Sequence, residues 1–169
     1  MNTVLIAIDL QNSLLEAGPW QAAQVMERAV ALVAAARASE APVVFVKDRR
    51  VEPDGALDAD LQVLPGDLVV EKSFCDTFLH TPLDQWLRDR GVTRLVVCGM
   101  QTDYCIDTSC RRAASLGYTV ELVREAHTTF DHESLPAEQI IAHHNRILRN
   151  FPAGDGSVRT VPMDQVAFT

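Results

Sequence analysis

Cys98-Gly99-Met100-Gln101-Thr102-Asp103-Tyr104-Cys105-Ile106 decides how this chain is read, because it leaves an apolar strand, turns at a glycine and enters a segment of helical character. Strand, tight turn and helix together form the unit from which parallel sheets are built, since parallel neighbours need a crossover. The same alternation extends outward in both directions. Strands are expected at Thr3 to Ile8, Val43 to Lys47, Leu68 to Val70, Arg94 to Cys98, Thr119 to Val123 and Ser157 to Val161, each rich in β-branched or apolar residues. Between them, Gln21 to Ser39 repeats Val25, Ala29, Leu32, Val33 and Ala36 at helical spacing. Thr81-Pro82 opens a second helix that Arg90-Gly91 closes; Thr102 to Leu116 and Ala137 to Arg149 are the third and fourth. The expected class is α/β with six strands.

The chain has 169 residues, 47% hydrophobic and 22% charged, which suits a single domain spanning 1-169 with a full core. A net charge of -8 and a pI near 5.0 argue against nucleic acid and against an anionic membrane surface, both of which need a basic footprint. A small-molecule substrate fits better. The apolar run Val4 to Ile8 is short, lacks a preceding basic residue and stops at Asp9, so it reads as a buried strand and the protein as cytoplasmic. Cys75, Cys98, Cys105 and Cys110 form neither a C-x-x-C pair nor a zinc-like spacing with histidine, and a reduced compartment leaves their thiols free.

In open parallel sheets ligands sit beyond the carboxyl ends of the strands. Asp9 follows the first strand, Lys72 the third, Gly99 to Cys105 the fourth and Glu125 to Asp131 the fifth. Taken singly, Asp9 reads as a turn residue and Lys72 as a solvated one. Cys105 is the sharper signal. Thr102 can cap the helix, which puts Cys105 in its first turn, where the helix dipole lowers a thiol pKa. Cys98 and Cys110 read as small apolar core residues, while Cys75 stays open between core and site.

With those residues in view, the chain resembles the isochorismatase-like cysteine hydrolases, a family that includes nicotinamidases, carbamoyl-amide hydrolases and streptothricin hydrolase. Ile8-Asp9-Leu10-Gln11-Asn12, Val70-Glu71-Lys72 and Cys98 to Ile106 are similar to its three motifs, in order and each after an expected strand. The resemblance implies a doubly wound three-layer α/β/α sandwich on a six-stranded parallel sheet, a triad of Asp9, Lys72 and Cys105, and a homo-oligomer, dimer or tetramer. Asp9 would act as general base and Lys72 would stabilise both the thiolate and the Asp9 charge. Backbone N–H groups of Gln101 and Cys105 would stabilise the oxyanion, after a cis Met100-Gln101 peptide.

The nicotinamidase branch of that family carries an Asp-x-His pair and a further His for a metal. Here Lys47-Asp48-Arg49-Arg50 stands after the second strand and no His precedes His80, so no metal and no other cofactor is expected. Gln11, Leu14, Trp20, Phe78, Tyr104 and His127 lie near the motifs and are candidates for a substrate pocket, with ordinary packing an equal alternative. Trp20, Trp86 and Leu83 offer apolar surface to an oligomer, and Arg49 to Leu64 reads as a loop over the active side. The leading functional reading is hydrolysis of a small, non-peptide amide through a thioester. The alternatives are hydrolysis of an isochorismate-type ether and a catalytically silent oligomeric binding protein.

Overall fold

Strand β1 (Asn2–Ile8) shows why the sheet is covered on both sides: Val4, Ile6 and Ile8 enter one apolar layer, while Leu5 and Ala7 enter the other. A period of two with apolar residues on both faces leaves no solvated side. In the computed structural model, which describes residues 2–168, β1 is an interior strand of one sheet. After it come the short helix α1 (Asn12–Glu16), α2 (Ala22–Ala38), β2 (Val43–Asp48) and β3 (Leu68–Lys72). Then follow α3 (Leu83–Asp89), β4 (Val92–Met100), α4 (Asp107–Ser115), β5 (Thr119–Thr128), α5 (Ala137–Ile147), β6 (Asn150–Ala153) and β7 (Gly156–Val161).

The strand order is β3-β2-β1-β4-β5-β7-β6. The chain moves outward from β1 in one direction and returns through β4 in the other, so the crossovers fall on opposite faces. Val25, Ala29, Leu32, Val33 and Ala36 of α2 are buried, and the last four share a layer with Leu5 and Phe45. Leu83 and Leu87 of α3, with Cys110, Ala113 and Ala114 of α4, fill the opposite layer. The switch between the two directions falls between β1 and β4. There Gly99 pairs with Ile8 at a φ of +121°, and a Cβ at Gly99 would lie 2.0 Å from the Ile8 carbonyl oxygen. Only glycine lets the two strand ends approach so closely.

The doubly wound α/β fold is as expected, with four differences. A seventh strand, β6, pairs antiparallel with β7 at the sheet edge, where Pro152 is tolerated because one side of an edge strand needs no partner. Helix α1, too short to show a period, was not expected. The segment expected as one helix from Thr102 divides into a π-helical turn, Thr102–Ile106, and α4, and neither start carries a side-chain cap. The apolar surface expected for an oligomer is largely used up: Leu83 is buried, and the Arg90 guanidinium covers Trp86 at 4.0 Å from the ring centre. No helix among the described residues is long and apolar enough to cross a membrane.

Gly99→Ala is expected to destabilise the fold by well over about 1 kcal/mol, the scale for forcing a side chain into a left-handed glycine position, as read from a urea unfolding midpoint.

Candidate active site

Three strands deliver their last residues to one point. Asp9 follows β1 with a left-handed φ of 55°, a conformation that a non-glycine residue holds only where its surroundings demand it. Lys72 ends β3, directly in register with Asp48 at the end of β2. Cys105 sits in the π-helical turn after β4, which a cis peptide between Met100 and Gln101 introduces.

Lys72 has 1% of its surface exposed. Its Nζ lies 2.8 Å from Asp9 Oδ2, 3.3 Å from Asp48 Oδ2 and 3.1 Å from Cys105 Sγ. A buried ammonium is tolerable only when such partners replace its water. Asp48 is in turn held by Arg50, whose Nε donates to Oδ1 at 2.9 Å and whose terminal nitrogen donates to Oδ2 at 2.5 Å. Two cations and two carboxylates therefore balance, leaving the thiol neutral.

These contacts set the proton affinities. Burial alone would lower the Lys72 pKa, but Asp9 and Cys105 outweigh it and push it up to about 12. Burial alone would raise Asp48, but the Arg50 hydrogen bonds and the Lys72 charge hold it at about 2. Burial raises the Asp9 carboxyl above its ordinary value against the opposing pull of Lys72. Burial and the Asp9 charge likewise raise the Cys105 thiol, again opposed by Lys72. The lowered thiol pKa expected from a helix dipole is thus corrected: burial first, and the neighbouring Asp9 carboxylate second, favour the protonated thiol. Asp9 Oδ1 is buried with no hydrogen-bond partner among the described residues, and the thiol interacts with this same carboxylate.

The oxygen and sulfur donors of Asp9, Asp48 and Cys105 lie within 4.8 Å of one another, close enough in principle to hold a metal ion. The Lys72 ammonium already stands within 3.3 Å of all three side chains. A divalent cation there would meet a buried like charge, so this donor set does not fit a metal.

A cavity of about 490 Å³ opens over the cluster, with Asp9, Gln101 and Cys105 at its base. Leu14, Val51 and Phe130 supply apolar wall, and Arg50, Asp131 and His132 supply polar wall. Tyr104 forms part of the rim, stacked on His132 with ring centres 6.1 Å apart, and His132 reaches Asp103 at 3.1 Å. Cys75 also lines the cavity, half-buried, whereas Cys98 and Cys110 are core residues. A separate cavity of about 300 Å³ lies beside Asn2, Pro42 and Phe168, and no cysteine lines it.

Of the six pocket candidates, Leu14 and Tyr104 line the cavity and four do not. Gln11 is fully buried and its amide clamps the backbone of Asp48 and Gly55, so it holds the 49–64 loop in place. Trp20 lines a different cavity, with Arg28 and Glu138, and its backbone carbonyl accepts from the Thr128 hydroxyl. Phe78 packs in the core against Tyr118 at 6.2 Å. His127 is buried behind the Gln101 to Cys105 turn, between Thr102 and Asn145. Asp48 and Arg50 were missed as site residues. The rule that placed Asp9 and Lys72, a charged residue at the carboxyl end of a strand, applies equally to Asp48.

The family profile for the isochorismatase domain matches residues 3–142. The chain belongs to the isochorismatase family. A streptothricin hydrolase from Streptomyces noursei is 36% identical over 145 residues, which cover 78% of this isochorismatase-family chain and 51% of that relative. The chain thus spans about half the length of that curated relative. A ureidoacrylate amidohydrolase from Agrobacterium fabrum is 37% identical over 73 residues, 43% of this chain and 32% of the relative. The crystal structure of an isochorismatase from Pseudomonas putida KT2440 superposes with a TM-score of 0.86 at 25% identity, covering 98% of this chain and 90% of the other.

Two outcomes follow from these charges. Lys72→Met should cost about 3 to 5 kcal/mol in a urea titration, because two buried carboxylates lose their shared cation. Burial lowers His127 from its ordinary 6.5 to about 4, so the unfolded chain takes up this proton first as the pH falls. The stability it confers is complete above about pH 6.5 and is lost on acidification toward pH 4, by about 3 kcal/mol in all. Urea midpoints of the wild type and His127→Gln between those pH values measure it.

Proposed function

We propose that this isochorismatase-family chain is a cysteine hydrolase that cleaves the carbon–nitrogen bond of a small, non-peptide amide through a thioester. One observation carries the reading: the Cys105 thiol sits 3.1 Å from the Lys72 ammonium, beside a buried carboxylate whose proton affinity is raised. Asp9 takes the thiol proton as Sγ attacks the carbonyl carbon. Moving that proton from sulfur to carboxylate leaves the number of buried charges unchanged, and Lys72 stays within reach of both. The tetrahedral oxyanion is stabilised by backbone N–H groups of Gln101 and Cys105. Collapse breaks the carbon–nitrogen bond, protonated Asp9 returns its proton to the leaving nitrogen, and the acyl group remains on sulfur. Water then attacks the thioester with Asp9 as base, which releases a carboxylic acid and restores the thiol.

The amidohydrolase name of the ureidoacrylate relative supports carbon–nitrogen chemistry, the streptothricin relative is likewise a hydrolase, and free thiols suit a reducing cytoplasm. A homo-oligomer remains part of the proposal. Its better candidate surface is now the sheet edge at β3, where Val69 is exposed with Leu64 and Phe74 nearby in sequence. A light-scattering mass of 18.6 kDa would overturn it.

The test is a panel of small carboxamides, ureides and lactams assayed for ammonia or amine release. Turnover is expected with at least one class, with Cys105→Ala falling to background and intact mass spectrometry of a slow substrate showing an acyl adduct. Release that survives Cys105→Ala would exclude the thioester. Activity should rise with pH as Asp9 ionises, above the ordinary carboxylate range, and hold into alkaline solution because Lys72 keeps its charge to about pH 12.

A further inference from the structure

Behind the nucleophile turn lies a polar chain that the chemistry above does not use. His127, in β5, is 2% exposed. Its Nδ1 is 2.8 Å from Thr102 Oγ1 and its Nε2 is 3.0 Å from Asn145 Oδ1. The direction of each bond can be worked out. Asn145 Nδ2 donates to the Arg124 carbonyl at 3.2 Å, and since a carbonyl can only accept, the amide's oxygen is the atom that faces His127. Nε2 must therefore carry the imidazole proton, which leaves Nδ1 a bare acceptor. The Thr102 hydroxyl then donates to Nδ1, a single directed chain from Thr102 through His127 to helix α5.

The backbone brings this chain to the place where the turn needs a restraint. The β4–β5 ladder breaks after Val97 and Leu122 and resumes with Gly99 beside His127 and Met100 beside Thr128. His127 is thereby set level with Gly99, two residues before Gln101. Thr102 opens the π-helical turn that holds Cys105, and no side chain caps that turn from within. Its neighbour Asp103 is tied to the same strand extension, accepting from Thr129 Oγ1 at 2.6 Å.

We propose that His127 is a positioning residue: through Thr102 it fixes the Gln101 to Cys105 turn, and with it the angle between the thiol and the two oxyanion donors. The proposal rests on the amide-hydrolase reading for its kinetic test, though not for its chemical one. A misplaced turn still binds substrate but presents donors and sulfur off the line of attack, so the loss falls on kcat and leaves KM alone.

Three variants dissect the chain. Thr102→Val removes the donor and keeps the side-chain shape. His127→Gln keeps a donor toward Asn145 and loses the acceptor toward Thr102, and Thr102→Ser keeps the hydroxyl. Thr102→Val and His127→Gln are expected each to lower kcat between about tenfold and a hundredfold, with KM within about twofold of wild type. The double variant should be no worse than either single, because both break one link, and Thr102→Ser should recover kcat to within about threefold. Unchanged kcat in folded variants, additive losses in the double, or a Thr102→Ser as impaired as Thr102→Val would each overturn the proposal. If His127→Gln does not fold, the Thr102→Val and Thr102→Ser pair decides alone.

A second arm needs no substrate. Iodoacetamide labelling of Cys105, followed by peptide mass spectrometry with Cys75 of the same molecule as reference, should slow by about fivefold or more in Thr102→Val. An unchanged Cys105 to Cys75 ratio would overturn the positioning role. Wild-type protein that turns over no amide yet shows the labelling difference would sink the amidase reading and leave this inference standing.

Discussion

The structure of this site depends on a buried ammonium. Lys72 is almost wholly shielded from solvent, and each of its neighbours at 2.8, 3.1 and 3.3 Å answers its charge or its hydrogen-bonding need. Removing a cation from water is expensive enough that its partners must be fixed by the fold. That requirement explains why β1, β2 and β3 end at one depth. It also accounts for Asp48 standing in register with Lys72, and for Asp9 holding a left-handed conformation where the chain leaves β1. Arg50 completes the balance from outside by taking both oxygens of Asp48.

Such a cluster suits a reaction in which a proton moves and net charge does not. A thiol raised by burial and by a carboxylate is a poor nucleophile at rest, yet the same carboxylate is a better base for having been raised itself. The cation between them stabilises either placement of the proton. Because the site is covered by the 49–64 loop and that loop is pinned by Gln11, the cavity shape and the cluster geometry are mechanically connected through Asp48. The Gln101 to Cys105 turn has its own support from His127 in β5 and from Thr129 just after it. Asp9 and Cys105 thus arrive from opposite sides of the sheet's switch point and are braced independently.

Much of this was legible in the chain. Apolar runs with β-branched residues located six of seven strands, and the strand ends pointed to Asp9, Lys72 and Cys105. The exceptions have physical causes. The edge strand β6 contains Pro152 and carries no alternation that distinguishes it from a turn. Trp20 and Phe78 are near the motifs along the chain but lie in turns whose packing takes them elsewhere, and the β4–β5 ladder break sets the place of His127. Asp48 was passed over because Arg49 and Arg50 make its surroundings look like a solvated charge cluster.

Sequence alone determined the alternation of strand and helix, the two-faced burial of the sheet and which residues stand at the carboxyl ends of the strands. These depend on periodicity and on local turn chemistry, both of which a linear chain expresses directly. Tertiary structure alone decided that Asp48 and Arg50 join the site, that Cys105 rises in pKa where its helix would have lowered it, and that Thr102 bonds sideways to His127 where a cap was expected. Each of these is set by distances of about 3 Å between groups far apart in sequence, in surroundings that exclude water. Charge interactions and desolvation act through those distances, and only the folded chain defines them.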